Sequence, residues 1–257
     1  MYELMKHLKM EKADGVARIT LARPKHNVLN IEMINELNSR LDELAAEDDL
    51  KCLVILGDGP SWCAGVEVGD HKPEMAEEMI RVFGGLCERI DRLEIPVIAG
   101  VQGACLGGGM EVAIACDMIV AAESAVFGQP EIKLGFLPPY AAVRLPQLVG
   151  PARAVEICTT GKRYSAEEAR QMGMVGYVAG DGQWTEVLDK LVKEITACSP
   201  LIIRLNKRAV KQHIGKEFTA ALQGANELFL NVLMKTEDTL EGIRSFEEKR
   251  RPQWKNK

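Results

Sequence analysis

The chain has 257 residues, 47% of them hydrophobic, and a formal net charge of −5 at pH 7. This is enough apolar sequence for a large core in one domain, or in one domain with a terminal extension. The negative charge argues against a nucleic-acid-binding surface, and the sequence contains no uninterrupted apolar stretch that approaches the length of a membrane span.

The cysteines and histidines are scattered along the chain. The seven cysteines form no Cys-x-x-Cys pair, and no two of the four histidines stand at metal-ligand spacing. This scatter predicts a reducing compartment and no metal site. The first nine residues also lack the continuous apolar run of a signal peptide, so we expect a cytoplasmic protein.

Strand and helix patterns alternate through the first half of the chain. Asn30 is a typical N-cap residue, and apolar residues recur on one face of the helix expected after it. Alternation of this kind predicts an α/β fold. In chain order, the predicted elements are a strand at 15–21, the helix from residue 30, a buried strand at 52–56, a helix at 75–93, and short strands at 96–101 and 118–121.

After about residue 127 the strand pattern fades and helical periodicity dominates. We therefore predict a core domain at 1–195 and a helical C-terminal region at 196–257. The predicted helices are 153–160, 166–172, 185–198, 200–213 and a long one at 216–250.

A run of three glycines, Gly107 to Gly109, precedes an apolar segment that contains Glu111. Glycines at a helix start let bare backbone approach a ligand, and the unpaired N–H groups there attract negative charge. Glu111 lies among apolar neighbours and is hard to interpret as a surface residue. Twenty residues later, Glu131 follows Phe-Gly-Gln-Pro.

These segments, together with Trp62-Cys63-Ala64-Gly65-Val66-Glu67, closely resemble the crotonase (enoyl-CoA hydratase/isomerase) superfamily over nearly the whole chain. The resemblance implies a spiral of ββα turns followed by a helical region used in trimer assembly. It also implies a homotrimer or homohexamer and an acyl-CoA thioester substrate. Coenzyme A would be part of that substrate, and no other cofactor is implied.

By this resemblance, the backbone N–H groups of Val66 and Gly108 form an oxyanion hole for the thioester oxygen. Glu111 and Glu131 would hold one water between them. Two such close carboxyls should share one proton, and we assign Glu131 as the acid and Glu111 as the base that activates water.

The coenzyme-binding residues implied by the resemblance are less specific. Ala64 and Val68 would contact the adenine and pantetheine, and Lys25 and Lys249 would bind phosphates. For Lys249 an ordinary solvated helix end is an equally good interpretation.

The segment 135–145 departs from straight-chain hydratases where the acyl group should lie. Pro139 stands where the family often has glycine, and Tyr140 stands where it often has alanine, so both are predicted to line the acyl pocket. This form resembles the branch of the family that hydrates cyclic dienoyl-CoA thioesters, such as cyclohexa-1,5-diene-1-carbonyl-CoA, in anaerobic aromatic degradation.

Other functions stay open. The glutamate pair also suits a straight-chain 2-enoyl-CoA hydratase of fatty-acid β-oxidation, whereas isomerases commonly keep one glutamate. A non-catalytic or RNA-binding homologue is disfavoured because both glutamates are present and the basic cluster at 249–251 is short. A dinucleotide loop at 57–59 is disfavoured because Trp62 replaces the next expected glycine.

Overall fold

The computed structural model describes residues 2–257, with side chains from residue 5 onward. Ten strands, ten α-helices and three 3-10 turns lie in this range. The strands are β1 (Tyr2–Leu4), β2 (Leu8–Ala13), β3 (Val16–Leu21), β4 (Cys52–Gly57), β5 (Val97–Val101), β6 (Ala104–Leu106), β7 (Met118–Ala122), β8 (Val126–Gly128), β9 (Arg163–Ser165) and β10 (Tyr177–Ala179). The helices are α1 (Ile31–Ala45), α2 (Pro73–Arg92), α3 (Gly108–Ala115), α4 (Pro139–Val149), α5 (Pro151–Thr160), α6 (Ala166–Gln171), α7 (Trp184–Thr196), α8 (Pro200–Lys211), α9 (Phe218–Asn231) and α10 (Glu237–Glu247).

The main sheet has seven strands in the order β1-β2-β3-β4-β5-β7-β10. Strands β1 to β3 pair antiparallel, and β3, β4, β5, β7 and β10 run parallel. The parallel strands are joined by helical crossovers, as such a connection requires. A second sheet of β6, β8 and β9 lies beside it. The expectation of an α/β fold is confirmed.

The elements predicted in the first half agree closely with the structure. Asn30 caps α1, and its side chain accepts a hydrogen bond from the Met33 N–H at 3.0 Å. The apolar face of α1 is buried in the main core, as its periodicity predicted. The sequence analysis missed α4 and the strands β1, β2, β6, β8, β9 and β10. Five of these strands have only three residues and therefore carry little pattern, and β2 ends in three exposed residues that hide its alternation.

The single helix predicted at 216–250 is wrong. Two helices, α9 and α10, lie there, separated by a 3-10 turn at Leu233–Lys235. Thr236 begins α10, because its hydroxyl accepts from the Thr239 N–H. Asp238 is buried and accepts hydrogen bonds from Ser199, Lys255 and Asn256, so tertiary contacts fix the direction of this helix. No helix within residues 2–257 is long and apolar enough to cross a membrane.

Candidate active site

Two backbone segments run side by side at the centre of the site. The Cys63 N–H donates to the Ala104 carbonyl at 3.0 Å, and the Leu106 N–H donates to the Cys63 carbonyl at 3.0 Å. Cys63 and Cys105 form an isolated parallel bridge. This pairing fixes the residues after Cys63 next to the beginning of α3.

The Val66 peptide group is oriented by its pairing with Leu29. The Leu29 N–H donates to the Gly65 carbonyl at 2.8 Å, and the Glu67 N–H donates to the Leu29 carbonyl at 2.7 Å. Along an extended chain the peptide groups alternate in direction, so the Val66 N–H faces away from Leu29. Across the described part of the chain it has no protein acceptor.

Gly108 is the first residue of α3, so its N–H has no partner within the helix. It lies against Val66: a Cβ built on Gly108 would come within 2.4 Å of Val66 Cγ2. The preceding Gly107 has φ +55°, which favours glycine. The structure therefore brings the two predicted oxyanion donors together, and it leaves no room for a side chain at position 108.

Glu111 lies in the first turn of α3 and is 3% exposed. Its Oε1 accepts a hydrogen bond from the Ala141 N–H at 2.8 Å. Burial raises the pKa of Glu111 to about 7; the backbone N–H groups of Ala141 and Tyr140 oppose this rise, and the Glu131 charge adds to it. A carboxyl with such a pKa exchanges a proton readily at neutral pH.

Glu131 is the second residue of the 3-10 turn Pro130–Leu134, and its Oε1 comes within 2.7 Å of a Cβ built on Gly107. Burial raises its pKa, and its own backbone N–H opposes the rise. The Gln129 side chain is fully buried. In the amide orientation that satisfies its hydrogen bonds, its nitrogen donates to both carboxylate oxygens of Glu131 at 2.9 and 3.0 Å. This contact orients the carboxyl and favours its ionised form.

Both glutamates face one cavity of about 250 Å³, which Val66, Gly107 and Gly108 also line. Most of the remaining lining is apolar and comes from α2 and from residues 130–139. These lining residues are Ala76, Met79, Ile80, Phe83, Pro130, Leu134, Phe136, Leu137, Pro138 and Pro139. The cavity thus combines two carboxyls, two free N–H groups and an apolar wall. The N–H groups can bind a carbonyl oxygen, the apolar wall can hold the group attached to it, and the carboxyls can transfer protons to and from that group.

Tyr140 does not line this cavity, contrary to the sequence prediction. Pro139 is the first residue of α4, and successive helical residues point about 100° apart. Pro139 therefore faces the cavity, whereas the Tyr140 ring lies in a separate cleft beside Lys207 and Lys211. Only the backbone N–H of Tyr140 acts on the site, through Glu111.

Of the four residues predicted to bind the coenzyme, two line the cavity and two do not. Ala64 and Val68 line the cavity, and Val68 is 60% exposed at its mouth. Lys25 is an exposed loop residue and does not line it. Lys249 is exposed beyond the end of α10, in a left-handed conformation with φ 52°. Within residues 2–257, neither lysine lines the cavity.

Sequence reasoning missed two polar side chains at the site. Gln129 lies in the segment that leads to Glu131, and the signal for its role is a polar residue two positions before that glutamate in an otherwise apolar stretch. His71 also lines the cavity, at the end of the 3-10 turn Val68–His71. Over residues 2–257, the structure contains no cluster of three or more His, Cys, Asp or Glu side chains arranged to hold a metal ion.

Comparison with known proteins gives consistent matches over nearly the full chain. The chain is 31% identical over 250 residues to "Cyclohexa-1,5-dienecarbonyl-CoA hydratase" of Thauera aromatica, covering 96% of both proteins. It is 32% identical over 249 residues to "Short-chain-enoyl-CoA hydratase" of Clostridium acetobutylicum, covering 94% of this chain and 95% of that protein.

A crystal structure of an enoyl-CoA hydratase from Bacillus anthracis superimposes with a TM-score of 0.93 at 31% identity, over 98% of this chain and 100% of that one. Residues 11–257 match the sequence profile described as enoyl-CoA hydratase/isomerase. The predicted crotonase fold and the expectation of an enzyme of the hydro-lyase class are both confirmed. By sequence, by fold and by relatives, this chain belongs to the enoyl-CoA hydratase/isomerase family.

Proposed function

We propose that this protein hydrates a conjugated cyclic dienoyl-CoA thioester, cyclohexa-1,5-diene-1-carbonyl-CoA, through an oxyanion-stabilised enolate. The observation that carries the hydration chemistry is the cavity in which Glu111 and Glu131 face the free N–H groups of Val66 and Gly108. The choice of a cyclic acyl group is supported by the Thauera aromatica relative. It is also supported by Pro138 and Pro139, which line the cavity with rigid apolar rings.

In this mechanism the thioester oxygen accepts hydrogen bonds from the Val66 and Gly108 N–H groups. The water oxygen bonds to a carbon of the conjugated diene, and one glutamate takes the proton that the water loses. The other glutamate gives its proton to a ring carbon, so the pair ends with the single proton that it had at the start. Each backbone donor to the oxyanion typically lowers the barrier by about 2.7–4 kcal/mol.

The division of roles between the glutamates is part of the proposal. The sequence prediction makes Glu131 the acid and Glu111 the base. In the free protein, burial favours the proton on Glu111, and the Gln129 carboxamide favours ionised Glu131. The pair titrates as a unit, so Glu131 acts as the acid only after the shared proton moves to it.

The same proposal assigns the remaining binding roles. Ala64 and Val68 at the cavity mouth contact the pantetheine and adenine, and Lys25 and Lys249 bind coenzyme phosphates, with Lys249 serving a neighbouring subunit. No cofactor takes part beyond the coenzyme A of the substrate. The cytoplasmic location likewise stays a prediction.

The second candidate is a straight-chain 2-enoyl-CoA hydratase of fatty-acid β-oxidation, which the Clostridium acetobutylicum relative supports. A panel of cyclic and linear enoyl-CoA thioesters separates the two. We expect cyclohexa-1,5-diene-1-carbonyl-CoA to have roughly 10–200-fold higher kcat/KM than crotonyl-CoA, the usual yield of apolar shape discrimination. Equal or better turnover of crotonyl-CoA would overturn the cyclic assignment and leave the hydratase function standing. A protein that turns over none of these thioesters would support the non-catalytic or RNA-binding alternative.

We also propose that the protein assembles as a homotrimer or homohexamer through its C-terminal helices. Helices α9 and α10 leave large apolar side chains exposed, among them Phe218, Phe229 and Phe246, at 77%, 52% and 85%. Apolar surface of this kind marks an interface. Light scattering at micromolar concentration tests the assembly, and a monodisperse monomer would contradict it.

A further inference from the structure

His71 is the one polar side chain that lines the cavity besides the two glutamates, within the described residues. Its ring contacts the Phe136 ring from the opposite segment, with centroids 4.9 Å apart and an interplanar angle of 43°. Phe136 belongs to the apolar wall between Glu131 and α4. His71 is therefore part of the wall that encloses the acyl group, although its side chain can form hydrogen bonds.

One ring nitrogen of His71 already has a partner, because Nδ1 lies 3.0 Å from the Glu67 carbonyl oxygen. A carbonyl oxygen only accepts, so Nδ1 carries a proton in this contact. In the neutral ring, Nε2 then holds a lone pair and acts as an acceptor. Nowhere in residues 2–257 does the structure give Nε2 a hydrogen-bond partner.

An unpaired acceptor on a residue that lines an apolar cavity distinguishes between ligands. A purely hydrocarbon acyl group covers Nε2 without satisfying it, which costs binding free energy. An acyl group with a hydroxyl at the same place donates to Nε2 and removes that cost. Sites built in this way discriminate between analogues that differ by one hydroxyl.

We propose that His71 is a specificity-determining residue whose Nε2 accepts a hydrogen bond from a hydroxyl group on the acyl part of a CoA thioester. This inference rests on the proposed function in one respect, since it takes a CoA thioester as the ligand of this cavity. The hydroxyl that hydration adds comes from the water between Glu111 and Glu131, so the hydroxyl that His71 recognises is a further one on the acyl part. His71 then favours a hydroxylated acyl group over its hydrocarbon analogue. The pantetheine amide N–H groups are the other donors of the same chemistry, and the test distinguishes them.

The test is calorimetric titration of the assembled full-length protein with saturated thioesters. None of these probes has a hydroxyl on the carbon β to the thioester carbonyl, so the enzyme cannot remove water from them. The probes are cyclohexanecarbonyl-CoA and its 3-hydroxy and 4-hydroxy derivatives. We expect the wild-type protein to bind at least one hydroxylated probe roughly 3- to 10-fold more tightly than the parent, as one net hydrogen bond provides. His71→Leu should abolish this preference, and His71→Gln, which keeps an acceptor, should restore part of it.

Three results would overturn the inference. In the first, neither hydroxylated probe binds the wild-type protein more tightly than the parent. In the second, the preference for a hydroxylated probe survives in His71→Leu. In the third, His71→Leu weakens the binding of all three probes equally, which would assign Nε2 to the pantetheine. Met79→Leu, a change in a buried apolar lining residue, is the matched control for altered packing. Because the probes do not react, the result is independent of whether the cyclic diene is turned over, so the inference and the proposed function can fail separately.

Discussion

The two walls of the cavity are built in different ways. On the wall with the free N–H groups, Gly65 and Gly108 are buried, and backbone pairing to Leu29 and to β6 holds them in place. On the other wall, Leu134, Phe136 and Leu137 are 63%, 39% and 70% exposed. The first wall depends on backbone positions that no side chain can replace, whereas the second presents side chains that can change without disturbing the core. We infer that the buried wall determines the chemistry and the exposed wall determines which acyl group is accepted.

The largest effect should come from the carboxyls between the two walls. Glu111→Gln and Glu131→Gln should each lower kcat by roughly 10²–10⁴-fold, because each removes a proton-transfer group, with much less change in substrate binding. Steady-state kinetics on the preferred thioester measures the effect, and exposed Glu123→Gln serves as the control. If either variant turned over at the wild-type rate, its assigned role would be wrong.

The next effect tests the buried wall directly. Gly108→Ala places a Cβ where Val66 Cγ2 lies only 2.4 Å away, so the Val66 side chain or one of the two N–H donors must move. We expect kcat to fall by about 10²–10³-fold, the usual cost of losing one oxyanion donor.

Two further variants sharpen that result. Val66→Ala added to Gly108→Ala removes the clashing methyl and should restore part of kcat, because the donor at position 66 is a backbone group. Gly84→Ala in α2 is the control, since a Cβ there meets nothing within 4 Å. An unchanged kcat in the single variant Gly108→Ala would contradict the importance of close backbone contact.

A third prediction concerns the stability cost of burying Glu111. Its pKa of about 7 lies above the ordinary value of 4.5, so the folded state favours the protonated carboxyl. This favourable contribution to the free energy of unfolding is complete below pH 4.5 and is lost as the pH rises through 7. The loss is about 3 kcal/mol at most. Glu111→Gln should therefore lose less stability than the wild type between pH 5 and pH 8. Urea unfolding at a fixed protein concentration measures this, and a pH dependence identical to that of the wild type would argue against a raised pKa.

The smallest effect should come from the exposed wall. Phe136→Ala should lower the preference for the cyclic diene over crotonyl-CoA by about tenfold in kcat/KM, because it removes one face of the acyl cavity. Ile132→Ala is the matched control: Ile132 is 42% exposed on the same segment but does not line the cavity. If both variants keep the wild-type preference, the exposed wall does not select the acyl group.

Much of the fold and part of the site could be predicted from the sequence because the signals are local. The Asn30 cap, the periodicity of α1 and α2, and the buried apolar runs of β4, β5 and β7 each depend on a few consecutive residues. The glycines before Glu111 also carry their own meaning, because few other residues adopt φ +55° or fit against Val66.

Other features were decided only by contacts between distant residues. The break between α9 and α10 is fixed by Asp238 and its partners near residues 199 and 256, and the direction of Tyr140 follows from where α4 begins. The raised pKa of Glu111 depends on burial by the whole core. The sequence by itself thus determined α1, α2 and the parallel strands β3, β4, β5 and β7, and it singled out the two glutamates. The tertiary structure decided which side chains meet at the cavity, because contacts between residues far apart in the chain form only when it folds.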